Sequence, residues 1–357
     1  MLNKNQAIMK KILYISLFLA FLTSCTVVNT VSIDYLQPAD VSFPPGVKVV
    51  GVVNNTPQGD YVSKLDELNS NGSPASNLIG VIEGNGKTAT EELANSVYEG
   101  NYFDEVIICD SALRSKDYFT RDTKLSQSEV KELTESLGVD MILSLEKVNL
   151  YLKKSVIYYE DAPFPQGVID ATVRTMTRVY VPTKSEPIVT LSDTDSIYWV
   201  TGTWNVDKSI IEEGSSFAAT LPVKHILPTW KSVTRYYYAS GAVEMRDAAV
   251  YVRENNWDEA RKLWEQVYGR KNEKMKMRAA YNIALCCEMK DNLQEAKEWL
   301  DKAAEIAEKK VTKNEKGEVE TSTGDYKLIA YYLADLTTRL SNIQKLKLQM
   351  MRFSGDF

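Results

Sequence analysis

Apolar and polar residues alternate in short, regular runs along the first half of the chain. Apolar, β-branched runs predict strands at residues 47–53, 103–109 and 139–145, and apolar positions at helical spacing predict helices at 90–98 and 126–137. Ser126 and Glu129 form a capping box that begins the second helix, and Gly138 ends it. Strand and helix alternate, which is typical of an α/β domain.

The pattern changes after residue 147. Residues 148–159, 168–181 and 188–199 are long runs that are rich in residues favoured in strands. Prolines at both ends of segment 182–187 predict a hairpin turn between the last two runs. We therefore predict, over residues 31–205, a domain with a mixed α/β sheet that has an edge of long antiparallel strands.

The second half of the chain contains an internal repeat with a period of 36 residues. Six positions recur, and four of the six pairs are identical: Ala248, Tyr251, Asn256, Glu259, Ala260 and Trp264 return as Ala284, Cys287, Asn292, Glu295, Ala296 and Leu300. Small residues at such positions let two helices approach closely, so the spacing predicts a tetratricopeptide-like helical domain over residues 241–357. The predicted packing residues are Ala248, Tyr251, Trp257, Ala260, Trp264, Ala284, Cys287, Leu293, Ala296 and Leu300. The alternative is an unrelated pair of helical hairpins with alanine at the packing positions.

Two repeat units are too few to bury a solenoid core by themselves. We expect a helix at residues 326–350 to cap the stack, and a helical connector at residues 206–240 to pack on both domains. Helical spacing places seven residues on the groove side of the stack: Met245, Ala249, Val252, Arg278, Tyr281, Leu285 and Glu288. This semi-apolar candidate partner groove either accepts an apolar peptide or is covered by the protein's own C-terminal helix.

The N-terminal segment predicts export and lipid attachment. Two lysines precede an apolar run at residues 12–22, which is too short to span a bilayer but suits a secretory signal. The sequence that follows is Leu22-Thr23-Ser24-Cys25. It resembles the signal of bacterial lipoproteins, which implies cleavage after residue 24 and an acyl chain on Cys25. The alternative is an ordinary secretory signal with an incidental cysteine.

In this interpretation, residues 1–24 are the signal peptide and residues 25–30 are a lipidated tether with a reach of about 20 Å. We therefore expect the first domain to lie close to the membrane. An acid-rich stretch after the cysteine resembles the surface-export signal of Bacteroidetes-type lipoproteins, and residues 26–29 contain no acid. The expected location is the periplasmic face of the outer membrane.

Charge and cysteine content narrow the choice of ligands. Without the signal, the chain has 39 basic and 48 acidic residues, which disfavours nucleic acid as a partner. The envelope outside the inner membrane holds no nucleotide pool, so we expect no nucleotide ligand. Cys109, Cys286 and Cys287 are too few for a disulfide framework and are interpreted as small core residues.

One glycine-rich segment, residues 84–88, follows an apolar run and resembles a phosphate loop. The phosphate-loop pattern requires a glycine five residues before Gly86, and that position is Val81. We interpret the segment as a glycine-rich turn before a helix.

Histidine and acidic residues offer few sites for catalysis or metal binding. His225 is the only histidine, so no histidine metal cluster is possible, and its place before a proline at a helix end fits the helix dipole. Asp193 and Asp195 share one face of a strand, and Glu160 and Asp161 share a loop. Paired acids can hydrolyse glycosides, but solvated turn acids are the simpler interpretation. We predict no catalytic residue, no metal site and no cofactor.

Residues 40–205 resemble the α/β domain shared by the N-terminal region of TolB and the curli-secretion and penicillin-binding-protein-activator lipoproteins. The resemblance rests on a strand that ends in Asn54-Asn55-Thr56, a following helix, and the turn Gly138-Val139-Asp140 into a strand. The whole chain resembles uncharacterised Bacteroidetes outer-membrane lipoproteins that join such a domain to a tetratricopeptide tail. The sequences that carry this second resemblance are Leu143-Ser144-Leu145-Glu146, Leu227-Pro228-Thr229-Trp230, Arg235-Tyr236-Tyr237 and Asn256-Trp257-Asp258-Glu259-Ala260.

Together, these features predict a membrane-anchored periplasmic lipoprotein that binds another envelope protein as a scaffold and has no catalytic activity of its own. One alternative is a hydrolase of envelope glycan or peptidoglycan that uses an acidic pair including Asp193 or Asp195. Another is a structural lipoprotein that assembles with copies of itself, since curli-type relatives form rings.

Overall fold

The computed structural model describes residues 28–57, 78–115, 124–161, 164–202, 204–313 and 319–353. The strands are β1 (Val28–Gln37), β2 (Val49–Asn54), β3 (Leu78–Glu83), β4 (Glu105–Cys109), β5 (Met141–Ile157), β6 (Gln166–Tyr180), β7 (Val189–Val200), β8 (Thr229–Tyr238), β9 (Thr312–Lys313) and β10 (Val319–Thr321). The helices are α1 (Gly86–Glu99), α2 (Gln127–Leu137), α3 (Lys208–Thr220), α4 (Val223–Ile226), α5 (Val243–Arg253), α6 (Trp257–Tyr268), α7 (Glu273–Met289), α8 (Leu293–Glu308) and α9 (Gly324–Met350).

The chain divides into two compact units. Of the residues that the structure describes, those at 28–35 and 230–343 form the helical unit, and those at 36–229 and 344–353 form the sheet unit. The C-terminal region is helical, as predicted.

A six-stranded mixed sheet forms the centre of the sheet unit. Its strand order is β4-β2-β5-β6-β7, and β3 also pairs with β5. β2 is parallel to both β4 and β5, whereas the β3–β5, β5–β6 and β6–β7 pairs are antiparallel. The predicted mixed α/β content is therefore confirmed.

The parallel strands are hydrophobic on both faces because helices cover both sides of them. Val52 of β2 points into one core cluster and Val53, its neighbour, into another. α1 packs over β2, β4 and β5, and α2 packs on β5. The capping box of Ser126 and Glu129 begins α2, and Gly138 ends it in the left-handed conformation, with φ of 69°.

The antiparallel strands continue beyond the parallel part of the sheet. β5, β6 and β7 have 17, 15 and 12 residues. The two strands predicted at 139–145 and 148–159 are one strand, β5, because a register shift between Leu145 and Lys147 keeps it paired with β6 throughout. α3 covers one face of this extension, where the Trp199 indole donates a 2.7 Å hydrogen bond to the Glu213 carboxylate.

Two helical hairpins form most of the helical unit. α5 and α6 are the first hairpin, α7 and α8 are the second, and α6 packs against α7. α9 joins the same core through Ile329, Tyr332 and Leu336, which are all buried. A two-stranded sheet of β1 and β8 and a short β9–β10 hairpin complete the unit.

Four predicted boundaries are wrong. The predicted tether at residues 25–30 overlaps β1, which contains residues 28–30. The connector at 206–240 is helical only in α3 and α4, because residues 229–238 are β8, whose β-favouring side chains let it pair with β1. Residues 31–35, at the start of the domain predicted over 31–205, therefore belong to the helical unit. The end of the predicted tail lies in the sheet unit, where the Gln349 amide bonds both the N–H and the carbonyl of Ala39.

Candidate functional site

The predicted repeat positions gather in the core of the helical unit. Nine of the ten are buried, and Tyr251 is half-buried. The turns inside the two hairpins are also equivalent. Asn256 caps α6 and Asn292 caps α8, each accepting from the backbone N–H three residues later. The residues before them, Asn255 and Asp291, have φ of 56° and 57°. The 36-residue repeat is therefore a repeat of backbone geometry as well as of sequence.

The seven residues of the candidate partner groove are all buried. The protein's own helix α9 contacts Arg278, Tyr281 and Glu288. The other four are buried in the core of the helical unit, which α9 joins. The rings of Tyr281 and Tyr332 meet edge to face at 5.3 Å, and Asp325 lies 3.4 Å from the Arg278 guanidinium. The groove does not present an open apolar channel, so of the two alternatives only the covered one agrees with the described residues.

A buried charge cluster fastens α9 to this surface. The Glu288 carboxylate, 2 % exposed, accepts two hydrogen bonds of 2.9 Å from Arg235 and one of 3.1 Å from Arg339. Tyr332 also donates to Glu288, and Arg235 donates to Asp335 at 2.5 Å. Burial lowers the pKa of Arg235, but its bonds to the two acids outweigh that effect and raise it overall. The cluster is a paired, desolvated network that contributes to packing.

The sequence marks Glu288 as a groove residue and Arg235 only as part of a resemblance. It does not reveal that they pair, because 53 residues separate them.

Burial determines the reactivity of the two adjacent cysteines, Cys286 and Cys287. It raises the pKa of Cys286 to about 11 and that of Cys287 to about 12, so both thiols stay protonated and unreactive.

The two acids of the hydrolase alternative lie in different environments. Asp195 is exposed, whereas Asp193 is buried and accepts a 2.8 Å hydrogen bond from His225. The other imidazole nitrogen of His225 bonds Asp40, and Lys224 lies 3.3 Å from Asp193. Burial lowers the pKa of His225, but the bonds and charges of the two aspartates raise it overall. The geometry therefore gives a histidine held between two carboxylates, with Asp195 apart from it.

The glycine-rich segment at residues 84–88 is the start of α1. Asn85 caps the helix by accepting from the N–H of Thr88. A Cβ on Gly86 would lie 2.0 Å from the Thr56 hydroxyl, and one on Gly84 would lie 2.5 Å from Val148. These glycines allow close packing within the chain, and the space that a phosphate needs is filled.

In many α/β sheets, ligands bind at the carboxyl ends of the parallel strands, at the point where the strand order changes direction. In this sheet that point is the carboxyl end of β2, which has β4 on one side and β5 on the other. Here the crevice holds a buried polar network. Glu146 accepts from the Asn55 amide at 2.7 Å and from the Tyr180 hydroxyl at 3.3 Å, and Arg178 lies 3.3 Å away. Burial raises the pKa of Glu146 against the opposing effect of these partners. The network occupies the crevice with the protein's own side chains.

Exposed apolar side chains instead gather at one end of the long strands. The register pairs Ile157 with Gln166 and Val168 with Val200, so the end of β5, the start of β6 and the end of β7 meet there. Seven exposed residues lie at this end, on both faces of the sheet and in the adjoining segments, and we call this group the aromatic tip: Val156, Tyr158, Tyr159, Phe164, Tyr198, Val200 and Trp204.

Several side chains of the aromatic tip are highly exposed, and one of them, Trp204, is held by a hydrogen bond. Tyr158 is 76 % exposed, Phe164 74 % and Tyr198 59 %. Trp204 is held by a 3.0 Å hydrogen bond from its indole N–H to the Ser155 carbonyl, and the Lys154 ammonium lies 5.9 Å from its ring. Single exposed apolar residues are ordinary on protein surfaces, but a group of them marks an interaction surface. Exposed tyrosine and tryptophan are also enriched at the energetic centres of protein interfaces.

The sequence alone does not identify this group of residues. The sequence pattern that could have indicated it is a set of aromatic residues on both sides of the β5–β6 connection, with more aromatic residues at the end of β7. Only the strand register brings the two groups to one end of the sheet.

The lipidation site and its cleavage sequence, Leu22, Thr23, Ser24 and Cys25, lie outside the described residues. In the described ranges, no group of three or more histidine, cysteine and acidic side chains is placed to hold a metal ion. No helix there has both the length and the apolar character that crossing a membrane requires.

Comparison with known proteins finds two family models. A domain of unknown function (DUF8603) matches residues 47–238, and a second domain of unknown function (DUF6340) matches residues 246–338. No curated protein matches the sequence with statistical significance.

Two solved structures are among the matches. A dodecamer of a PelC variant from Paraburkholderia phytofirmans is 13 % identical with a TM-score of 0.25, and covers 55 % of this chain and 99 % of its own. A hypothetical protein from Chlamydia trachomatis is 12 % identical with a TM-score of 0.22, and covers 50 % of this chain and 87 % of its own.

Proposed function

Because the chain belongs to the DUF8603 family, a domain of unknown function, we propose its function from its own surfaces. The protein is a lipid-anchored scaffold of the cell envelope that binds another envelope protein through the aromatic tip. It brings that partner to the membrane and performs no chemistry of its own.

The observation that carries this proposal is the exposure of the aromatic tip. Water contacts large rings there, although burying them against a partner would be favourable by about 25 cal/mol per Å² of apolar surface. Tyr198 stands within the paired strand β7, so its backbone is already ordered before a partner covers the ring. This surface replaces the candidate groove as the docking site, since the groove residues are buried.

In this proposal the helical unit has a structural role. Its two hairpins are a tetratricopeptide-like pair that α9 caps, because two units bury too little apolar surface alone. The charge cluster around Glu288 holds the cap in place. Because the groove residues are buried, the helical unit does not act as a peptide receptor in this proposal.

Acylation of Cys25 at the periplasmic face of the outer membrane supplies the attachment. Acyl chains confine the protein to the membrane surface, and this raises the effective concentration of the tip near membrane partners. Mass spectrometry of the protein extracted from membranes should find Cys25 as the acylated first residue. An intact signal, or an unmodified cysteine, would refute the anchor.

Photo-crosslinking in living cells tests the docking surface. A photoreactive residue replaces Tyr198 in one variant and Tyr98 in another, because Tyr98 is an equally exposed tyrosine on α1, 64 % against 59 %. We expect one dominant envelope protein to crosslink from position 198 and not from position 98. Purified partner should then bind Tyr198→Ala roughly tenfold more weakly, the effect of losing one interfacial aromatic ring.

Two other outcomes of the crosslinking experiment would contradict this docking surface. The same adducts from both positions would refute the tip as a specific surface. Adducts with only a second copy of the chain would favour the self-assembling structural lipoprotein instead.

A further inference from the structure

The helical unit contains a cavity of about 570 Å³, within the size range of small-molecule sites. It is lined by β8, α7, α8, the start of α9 and Val28 of β1. Met277, Ile306 and Leu328 form its apolar wall, and Met277 and Ile306 are buried members of the unit's core.

Three of the four charged residues that line this cavity are cations. Lys274, Lys310 and Arg278 line it, together with one acid, Asp325. The acid is already engaged, because the Tyr238 hydroxyl donates to it at 2.8 Å and Arg278 lies 3.4 Å away. Lys274 and Lys310 are exposed, and neither forms an ion pair with any residue that the structure describes. The cavity therefore has surplus positive charge in a chain whose net charge is negative.

A ligand that matches this lining has an anionic head and an apolar body. Ammonium and guanidinium groups bind phosphate oxygens through charge-assisted hydrogen bonds. The apolar wall favours hydrocarbon, which a free phosphate ion does not have. A phospholipid with an anionic headgroup satisfies both parts.

The position of the cavity along the chain leads to the same ligand. Val28 lines it, and Cys25 is only three residues earlier, a separation of at most about 10 Å. A lipid attached to Cys25 would therefore keep the Val28 side of the cavity near the bilayer surface. The interfacial layer on each side of the hydrocarbon core is about 5–8 Å thick, which is comparable to that distance.

We propose that this cavity binds an anionic phospholipid of the membrane to which the protein is anchored. Lys274, Lys310 and Arg278 hold the phosphate, and Met277, Ile306 and Leu328 contact the upper part of the acyl chains. The proposal rests on the proposed anchor at Cys25 for access to the bilayer, and it adds a lipid-recognition site to the scaffold.

The full-length protein, purified in a neutral detergent, is titrated with a short-chain phosphatidylglycerol below its micelle concentration. We expect saturable binding of one lipid. The double variant K274E/K310E should weaken it by at least about tenfold, because each basic residue contributes about fivefold to anionic-lipid binding. Both lysines are exposed, so the folded state should keep its melting temperature.

The control variant K131E/K184E changes the net charge equally on the sheet unit, where both lysines are exposed and lack ion pairs with described residues. It should leave binding within about twofold, since distant surface charges are screened. A loss equal to that of K274E/K310E would overturn the site, and so would equal binding of phosphatidylcholine with its neutral headgroup.

Inorganic phosphate separates the two sources of the anion. If phosphate displaces the lipid at equal concentration, the cavity recognises the ion alone and the lipid proposal is wrong. Leu328→Gln gives a second test, since it should weaken lipid binding without affecting phosphate. Monomeric lipid needs no anchor to reach the cavity, so an unmodified Cys25 would refute the anchor and leave this result intact.

Discussion

Replacing Glu288 with glutamine tests whether the buried charge cluster holds α9 over the groove. The carboxylate accepts from Arg235 at 2.9 Å through two nitrogens, from Arg339 at 3.1 Å, and from Tyr332. Glutamine has nearly the same volume but turns one acceptor oxygen into an NH₂ donor that faces arginine donors. The change therefore removes the negative charge and one acceptor without leaving a cavity.

The structure sets the expected size of the effect. Breaking a buried ion pair by removing one partner costs about 3–5 kcal/mol, since the other charge stays buried. Arg235, 3 % exposed, keeps its 2.5 Å bond to Asp335, whose side chain is partly exposed. The cost should therefore be near the lower end of that range, about 3 kcal/mol. For a unit of this size, that free energy corresponds to a melting temperature lower by roughly 10 °C.

Thermal denaturation of the full chain, followed by circular dichroism, measures the shift. Glu298→Gln is the matched control, because Glu298 is exposed on α8 and has no ion pair with a described residue. It should change the unfolding free energy by less than about 0.5 kcal/mol. Amide hydrogen exchange in the two proteins should show faster opening of α9 around Tyr332 only in Glu288→Gln.

A double-mutant cycle with Arg235→Met separates the pair from its surroundings. If the two side chains act as a unit, the double variant should cost about 2 kcal/mol less than the sum of the single variants. Additivity within about 0.5 kcal/mol, or equal melting temperatures for Glu288→Gln and Glu298→Gln, would refute the reasoning.

Three further predictions concern the packing within each unit. Gly214→Ala should lower the unfolding free energy in urea by about 1–2 kcal/mol, because its Cβ would lie 2.2 Å from Leu150; stabilisation, as helix propensity alone predicts, would contradict the close approach. Asn256→Ala should remove the cap of α6 and cost about 1 kcal/mol in thermal denaturation, and an unchanged protein would refute the cap. His225→Gln should lower the unfolding free energy most at pH values below 6.5, the ordinary pKa of histidine, because the two aspartates stabilise the protonated imidazole of the folded protein. This loss of unfolding free energy should fade as the pH rises through the raised pKa of His225 in the folded state. Urea titrations at about pH 6 and about pH 9 check the sign, and a larger loss at the higher pH would contradict it.

Local chemistry decided much of the secondary structure, so the sequence alone predicted it. Ser126 and Glu129 cap α2 because their partners are three residues apart. Gly138 ends that helix because glycine tolerates positive φ. The repeated alanines gather in one core because equal spacing on successive helices places them on equivalent faces.

Contacts between distant parts of the chain were decided only by the tertiary structure. β8 became a strand rather than a connector helix because it found a partner in β1, about 200 residues away. Arg235 meets Asp335 across 100 residues, and Asp193 meets His225 across 32. Such pairs depend on the path of the whole chain, which no local spacing encodes.

The candidate sites divide in the same way. Helical periodicity alone placed seven residues on a groove, but whether that groove is open depends on α9, which follows it by tens of residues. The aromatic tip depends on the pairing of β6 with β7, which brings residues near 164 and 200 to one end of the sheet. The cavity depends on five elements that meet around it. A sequence period determines which face of an element is apolar, whereas the packing of elements determines whether water, a ligand or the chain itself covers that face.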